Sequence, residues 1–378
     1  MRRIVIIAVI GTIVVWLVAP YVSALALLMD LSGRDVALRR WMPVSVQPVS
    51  TRDVDVPTRH GDIPGRLYFP TRHSGRTFIV VPGVHGGGVD EPRLAQLTER
   101  LAGDGHLVLS LPLPDLRALR IVGRSTDQLE DAVIWMTDDP VLSPQGTVGV
   151  IGISFGGGLV MVAAGRPAVA GRIDRVVSFG GHGDLPRVVR YLCTGVLPDG
   201  TRQPAHDYGG AILLLGSLAH VVPAEQVAPL EQGIRAFLDA SMADGRARAN
   251  AGALFQYARQ LAETLPEPAR TIMRDVNARD GTRLGPMLLP FAETIAGDPA
   301  LSAERSPVPR APVFLIHGRT DTVIPQTETT SLAAHLQAQG HTRVRSLLTP
   351  AVSHADPNAD ITARDIWQLL SMWVAISR

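Results

Sequence analysis

The sequence has no lysine: all 36 of its non-histidine basic residues are arginine, a usage we read as genome composition rather than function. Set against 35 acidic residues, they leave a formal net charge of +1. That balance excludes the broad basic surface with which nucleic-acid binders track phosphates, so no nucleic-acid partner is expected. One cysteine, Cys193, excludes an intramolecular disulfide and any multi-cysteine zinc site. Charged residues are few, 19% against 46% hydrophobic, and no repeat or low-complexity tract is present. Disordered, coiled-coil and collagen-like chains are therefore excluded. What remains is a globular chain of 378 residues, enough for one large domain or two ordinary ones.

The N-terminal region is the most hydrophobic part. From Ile4 to Leu28 no residue is charged, and as a helix these 25 residues would extend about 37 Å. That exceeds a hydrocarbon core of roughly 30 Å, so residues 1–29 are expected to form a transmembrane anchor. Two other readings compete: a signal peptide cleaved after Ala24-Leu25-Ala26, and a buried core helix. Arg2 and Arg3 precede the run, while Arg34, Arg39 and Arg40 follow it. The short basic tail favours a catalytic domain on the outer, periplasmic side of a cytoplasmic membrane, and the later arginines argue against it. Residues 30–53 read as a stalk.

Beyond residue 54, short apolar runs alternate with helical patterns, the signature of a parallel sheet with crossover helices. Strands are expected at 66–69, 77–81, 106–111, 147–153, 175–179, 313–317 and 344–349. Helices are expected at 92–102, 125–137, 155–164, 327–338 and 363–375. Between 182 and 307 the alternation gives way to helical patterns at 210–222, 224–242 and 252–265. The fold class is thus α/β, with core segments 54–181 and 308–378 and a helical cap inserted at 182–307. Leu213, Leu214, Leu215, Leu218, Phe237, Leu238, Leu254, Phe255, Met287, Leu288 and Leu289 are expected to pack the cap and line an apolar pocket beneath it.

The nucleophile candidate is Ser154. Gly152-Ile153-Ser154-Phe155-Gly156 joins an apolar strand pattern directly to a helix pattern rich in small residues. A Gly-x-Ser-x-Gly turn there presents the serine on a sharp bend, and its glycines relieve the crowding of strand and helix. Asp321 follows the strand pattern 312–316, and His354 follows the strand pattern 344–348, in the order serine, acid, histidine. Asp184, after the strand pattern 176–179, is the second candidate acid. His85 and His182 are candidate pocket residues.

An oxyanion hole needs the backbone N–H after the nucleophile, that of Phe155, and one from an earlier strand-to-helix loop. Val81-Pro82-Gly83-Val84-His85-Gly86-Gly87-Gly88 offers two registers, Val84 or the Gly86-Gly87 pair, with Val84 slightly favoured. No Gly-Lys-Ser/Thr follows that loop, which argues against phosphate cradling.

The residues 152–157, 82–88, 317–325 and 353–354 together resemble those of α/β-hydrolase-fold serine hydrolases. The segment 127–137, with Ala132, Val133 and Trp135, is similar to the dienelactone-hydrolase-like and prolyl-oligopeptidase-like branches. The resemblance covers about residues 54–181 and 308–378 and implies hydrolysis of an ester, thioester, amide or related bond. Two departures matter: dienelactone hydrolases carry Cys where this chain has Ser154, and no propeller-sized N-terminal region precedes the core. The expected function is a serine hydrolase of small apolar carboxylic esters, with no metal and no organic cofactor. An amidase or peptidase of the same fold, and a catalytically inactive membrane-tethered binding protein, are the alternatives. The sequence sets no oligomeric state.

Overall fold

Eight strands form one sheet in the computed structural model, which describes residues 2–31, 37–42, 46–74, 76–245, 250–352 and 361–377. The strands are β1 (Val49–Val56), β2 (Ile63–Pro70), β3 (Thr77–Val81), β4 (Leu107–Ser110), β5 (Val148–Ile153), β6 (Ile173–Phe179), β7 (Val313–Gly318) and β8 (Val344–Thr349). Their spatial order is β1-β2-β4-β3-β5-β6-β7-β8. Only β2 runs against its neighbours; from β4 to β8 every pairing is parallel.

The helices are α1 (Arg2–Leu31), α2 (Pro92–Gly103), α3 (Pro114–Arg117), α4 (Arg124–Asp138) and α5 (Phe155–Gly165). An insertion follows β6: α6 (Leu185–Thr194), α7 (Asp207–Val221), α8 (Ala224–Gly245), α9 (Ala251–Thr264), α10 (Ala269–Asn277), α11 (Gly281–Leu288) and α12 (Ala292–Ala296). The chain then returns to the sheet, with α13 (Thr327–Ala338) before β8 and α14 (Ala363–Ser377) after it.

Both faces of the central strands are apolar, as a sheet covered by helices on each side requires. Ile79, Leu109, Val150, Val176 and Leu315 point into one core with α4, α5 and the insertion. Their neighbours Phe78, Val108, Ile151, Val177 and Phe314 point into the other, with α2, α14 and the end of α1. This period-two alternation places the two layers.

Two expectations about the N-terminal region need correction. The apolar run does not stand clear of the domain: Ala24, Ala26 and Leu27 are buried, and Tyr21 stacks on Trp367 of α14 with ring centroids 5.3 Å apart. Asp30, which ends the run's apolar character, pairs with Arg39 at 2.8 Å and with Arg100 of α2. The packing favours this because α14 and the outer face of the sheet leave apolar surface that the end of α1 covers. Among the described residues no helix is long and apolar enough to cross a membrane.

Nor do the described parts of 30–53 form a free stalk. The Gln47 amide donates to the Gly103 carbonyl (2.9 Å), the Gln47 side chain accepts from the Arg72 amide (2.7 Å), and β1 begins at Val49. The sheet therefore starts before residue 54.

Candidate active site

Ser154 occupies the turn between β5 and α5 with φ 55° and ψ −129°, a conformation of positive φ that a side-chain-bearing residue adopts only under constraint. The constraint is visible in its neighbours. The Ser154 amide donates to the Phe179 carbonyl at the end of β6 (2.7 Å). A side chain at Gly152 would begin 2.2 Å from the Gly156 carbonyl oxygen, and one at Gly156 would begin 2.4 Å from that of Pro82. Strand, helix and the β3 loop thus meet closer than any β-carbon permits, and the two motif glycines allow it.

The loop after β3 lies directly against the serine. A side chain at Gly83 would begin 2.8 Å from the Ser154 β-carbon and 3.3 Å from its Oγ. Val84 follows with its side chain buried. Further along, the Gly87 amide donates to His85 Nδ1 (2.9 Å) and the Gly88 amide to the His85 carbonyl (3.1 Å), so the glycine stretch folds over its own histidine. Gly86 is half-buried beneath Met242 of α8, whose methyl is 3.7 Å from where a side chain at Gly86 would begin. Phe155 opens α5, and a first-turn amide has no partner within its own helix.

Asp321 lies on the turn that follows β7 and is 3% exposed. One carboxylate oxygen accepts from the Val323 amide (2.9 Å) and the Ile324 amide (3.1 Å). The other is 3.4 Å from Nε2 of His317, a fully buried imidazole that also bonds the Ile324 carbonyl (2.8 Å) and the Thr329 hydroxyl (2.7 Å). His317 is therefore the brace of the acid turn. Because β6 alone separates β5 from β7, Ser154 and Asp321 follow strand ends about 10 Å apart. His354 lies in 353–360, outside the described residues. The chain enters that segment beside the acid turn, where the Arg319 amide donates to the Thr349 carbonyl (3.3 Å).

Other expected site residues are placed elsewhere. His182 is fully buried and does not face a pocket: its Nε2 bonds the Leu301 carbonyl (2.8 Å), and its ring sits where a side chain at Gly158 would begin. Burial pushes its pKa down, so it is held neutral. Asp184, the alternative acid, is engaged by Arg305 at 2.6 Å. Of the cap's apolar residues, Leu213, Leu214, Leu218, Phe237, Leu238 and Leu288 are buried in the joint core rather than lining a pocket. Seven inserted helices need that interior themselves. Leu254 borders a groove of about 450 Å³ between α8 and α9, whose wall it shares with Ala228, Ala236 and Tyr257 and with the charged Glu231, Arg235 and Asp239.

A third contributor, the base of the cap, has no signal in the sequence pattern. Gln203 Nε2 donates to the Asp321 carbonyl (2.7 Å), and the His206 amide to the Thr322 carbonyl (2.9 Å). The Tyr191 hydroxyl also donates to the Thr322 carbonyl (3.2 Å). The Tyr208 hydroxyl reaches 3.5 Å from the Val84 carbonyl, and burial with nearby Asp239 pushes its pKa up to about 12. Burial, with Asp321 nearby, likewise pushes Tyr191 up to about 12, so both phenols stay protonated donors. Among the described residues no three His, Cys, Asp or Glu side chains gather as metal ligands.

No protein-family profile matches the chain, and no curated protein sequence does. Solved structures do match. A rice-cell-wall-degrading esterase of Xanthomonas oryzae superposes with TM-score 0.51 at 14% identity, over 90% of this chain and 92% of that one. An esterase of Pyrobaculum calidifontis gives 0.48 at 15%, over 94% and 91%. A dienelactone hydrolase of Anabaena variabilis gives 0.43 at 17%, over 86% and 96%. At these identities the likeness is one of architecture, and with the eight-stranded, mostly parallel sheet it shows that this chain has the α/β-hydrolase fold.

Proposed function

We propose that the chain is a serine hydrolase that cleaves small carboxylic esters through an acyl-enzyme. Ser154 Oγ attacks the carbonyl carbon while His354 takes its proton, and Asp321 orients and stabilises the imidazolium. The amides of Phe155 and Val84 hold the oxyanion. The proton then passes to the leaving alcohol, and water attacks the acyl-enzyme by the same route. This chemistry calls for neither a metal nor an organic cofactor.

The observation that carries the reading is the strained Ser154 backbone with Gly83 packed on its β-carbon. Strain of this kind persists only where the surroundings enforce it, and here it belongs to one hydroxyl-bearing residue at a strand end beside the loop after β3. The Gly87 amide is already given to His85, which favours Val84 as the second oxyanion donor. The test is covalent labelling of the full chain by a fluorophosphonate, which should be lost in Ser154→Ala and His354→Ala. Labelling that survives Ser154→Ala refutes the assignment. A short ester series compared with peptide amides reads the substrate class, and faster amide cleavage overturns the ester preference.

We also propose a cytoplasmic-membrane location with the hydrolase domain on the outer side. The support is the uncharged sequence from Ile4, together with exposed Leu17, Val18, Ile366 and Trp367 around the docked end of α1. Protease treatment of intact spheroplasts should degrade residues 54–378; protection until lysis reverses the topology.

A further inference from the structure

The cap of such a fold is usually thought of as a cover, but one short stretch of this one is bonded to the acid turn. Gln203 lies between α6 and α7, and its side-chain amide donates to the main-chain carbonyl of Asp321 itself (2.7 Å). The same Nε2 lies 3.3 Å from the Tyr191 hydroxyl, which in turn donates to the carbonyl of the next residue, Thr322 (3.2 Å). Three residues on, the His206 amide takes the Thr322 carbonyl from a second direction (2.9 Å). At the far end of the stretch the Tyr208 hydroxyl reaches the Val84 carbonyl. Residues 203–208 of the cap, together with Tyr191, therefore bridge the loop that carries the acid and the loop beside the nucleophile.

The carboxylate of Asp321 is aimed by the Val323 and Ile324 amides of its own turn and by His317 near the end of β7. Those contacts set the side chain within the turn and tie the turn to β7; they do not tie it to the loop after β3. The carbonyls of Asp321 and Thr322 face the cap, and the hydrogen bonds they accept there supply that second restraint. We infer that Gln203 is a positioning residue: through the Asp321 carbonyl it holds the acid turn at the height that the histidine requires.

This inference rests on the proposed serine-hydrolase reading, and its test separates the two. In Gln203→Met, a side chain of similar length without the donor, kcat for a short ester should fall 10- to 100-fold with KM within twofold. In an Asp321→Ala background the same substitution should change kcat less than twofold, because the residue acts through the acid. A substitution that merely loosened the cap would cost the same in both backgrounds, and Arg274→Ala, at an exposed cap ion pair, should cost nothing in either. Hydrogen exchange of the Val323 and Ile324 amides should accelerate in Gln203→Met whatever the catalytic outcome. Wild-type exchange at 321–324, an unchanged kcat, or equal losses in the two backgrounds overturns the role of Gln203. Failure of the wild-type chain to label with a fluorophosphonate instead overturns the hydrolase reading, and the exchange measurement still decides whether the restraint exists.

Discussion

Replacing Gly83 by alanine adds one methyl group at the tightest point between the nucleophile and the loop that faces it. The new carbon would begin 2.8 Å from the Ser154 β-carbon and 3.1 Å from the Ile153 carbonyl oxygen. Comfortable carbon–carbon contact is about 3.5–4.0 Å, so loop and serine must separate by roughly 1 Å. Ser154 cannot yield easily, because its amide is held by Phe179 and its helix is packed through Gly156 against Pro82. The loop moves instead and takes the Val84 amide with it. A donor displaced by about 1 Å no longer meets an oxyanion at hydrogen-bond distance, and such a displacement costs on the order of 100-fold in kcat, or about 2.7 kcal/mol. Overpacking should also lower global stability by about 1–3 kcal/mol. Steady-state kinetics on a short ester, with urea unfolding alongside, separates the two effects. The expected result is a fall in kcat near two decades in a folded protein with little change in KM. A kcat within threefold of wild type would show that the loop after β3 supplies no oxyanion donor.

Three further outcomes follow from packing and charge. Gly158→Ala would place a methyl 2.3 Å from the His182 ring, which its bond to Leu301 prevents from moving, so urea unfolding should show a loss of about 3 kcal/mol. Glu328→Ala would strip Arg187 and the amides of Gly183 and Asp184 of a fully buried carboxylate, and should cost about 3–5 kcal/mol by the same measurement. Burial, with Arg76 and Arg175 nearby, pushes the pKa of His106 down to about 4. Because the unfolded side chain titrates near 6.5, its neutral form contributes about 3 kcal/mol above that pH, and the contribution is lost as the pH falls from 6.5 through 4. The urea midpoint should decline across that window, and the decline should be shallower in His106→Leu.

The central strands were legible because they are buried on both faces and therefore read as unbroken apolar runs, as Thr77–Val81 and Val148–Ile153 do. β1 was not: it is an edge strand in which only Val56 is buried, so Val-Ser-Thr-Arg-Asp-Val-Asp-Val shows no apolar face to find. Ser154 and Asp321 stood out because each is a reactive side chain at the end of a recognisable strand. His182 had the same local setting and a different fate, decided by the absence of a side chain at Gly158, which opens the slot its ring fills. Leucines of the cap look alike in sequence whether they face a ligand or one another. Gln203 left no trace, since its partner is a main-chain carbonyl 118 positions away and main-chain carbonyls carry no pattern.

The docking of α1 against α14 also has a consequence for how the chain is made. The apolar end of α1 leaves the ribosome early, whereas the surface that covers Leu27 and stacks on Tyr21 is completed only by α14, about 330 residues later. At about 5–20 residues per second that delay is roughly 17–65 s, far longer than a helix needs to form. During that interval the segment is a bare hydrophobic helix on a growing chain, able to engage whatever apolar surface it meets first. Its final position is therefore a matter of timing as well as affinity: slowing translation between α1 and α14 lengthens the exposure, and supplying α14 as a separate peptide during synthesis shortens it.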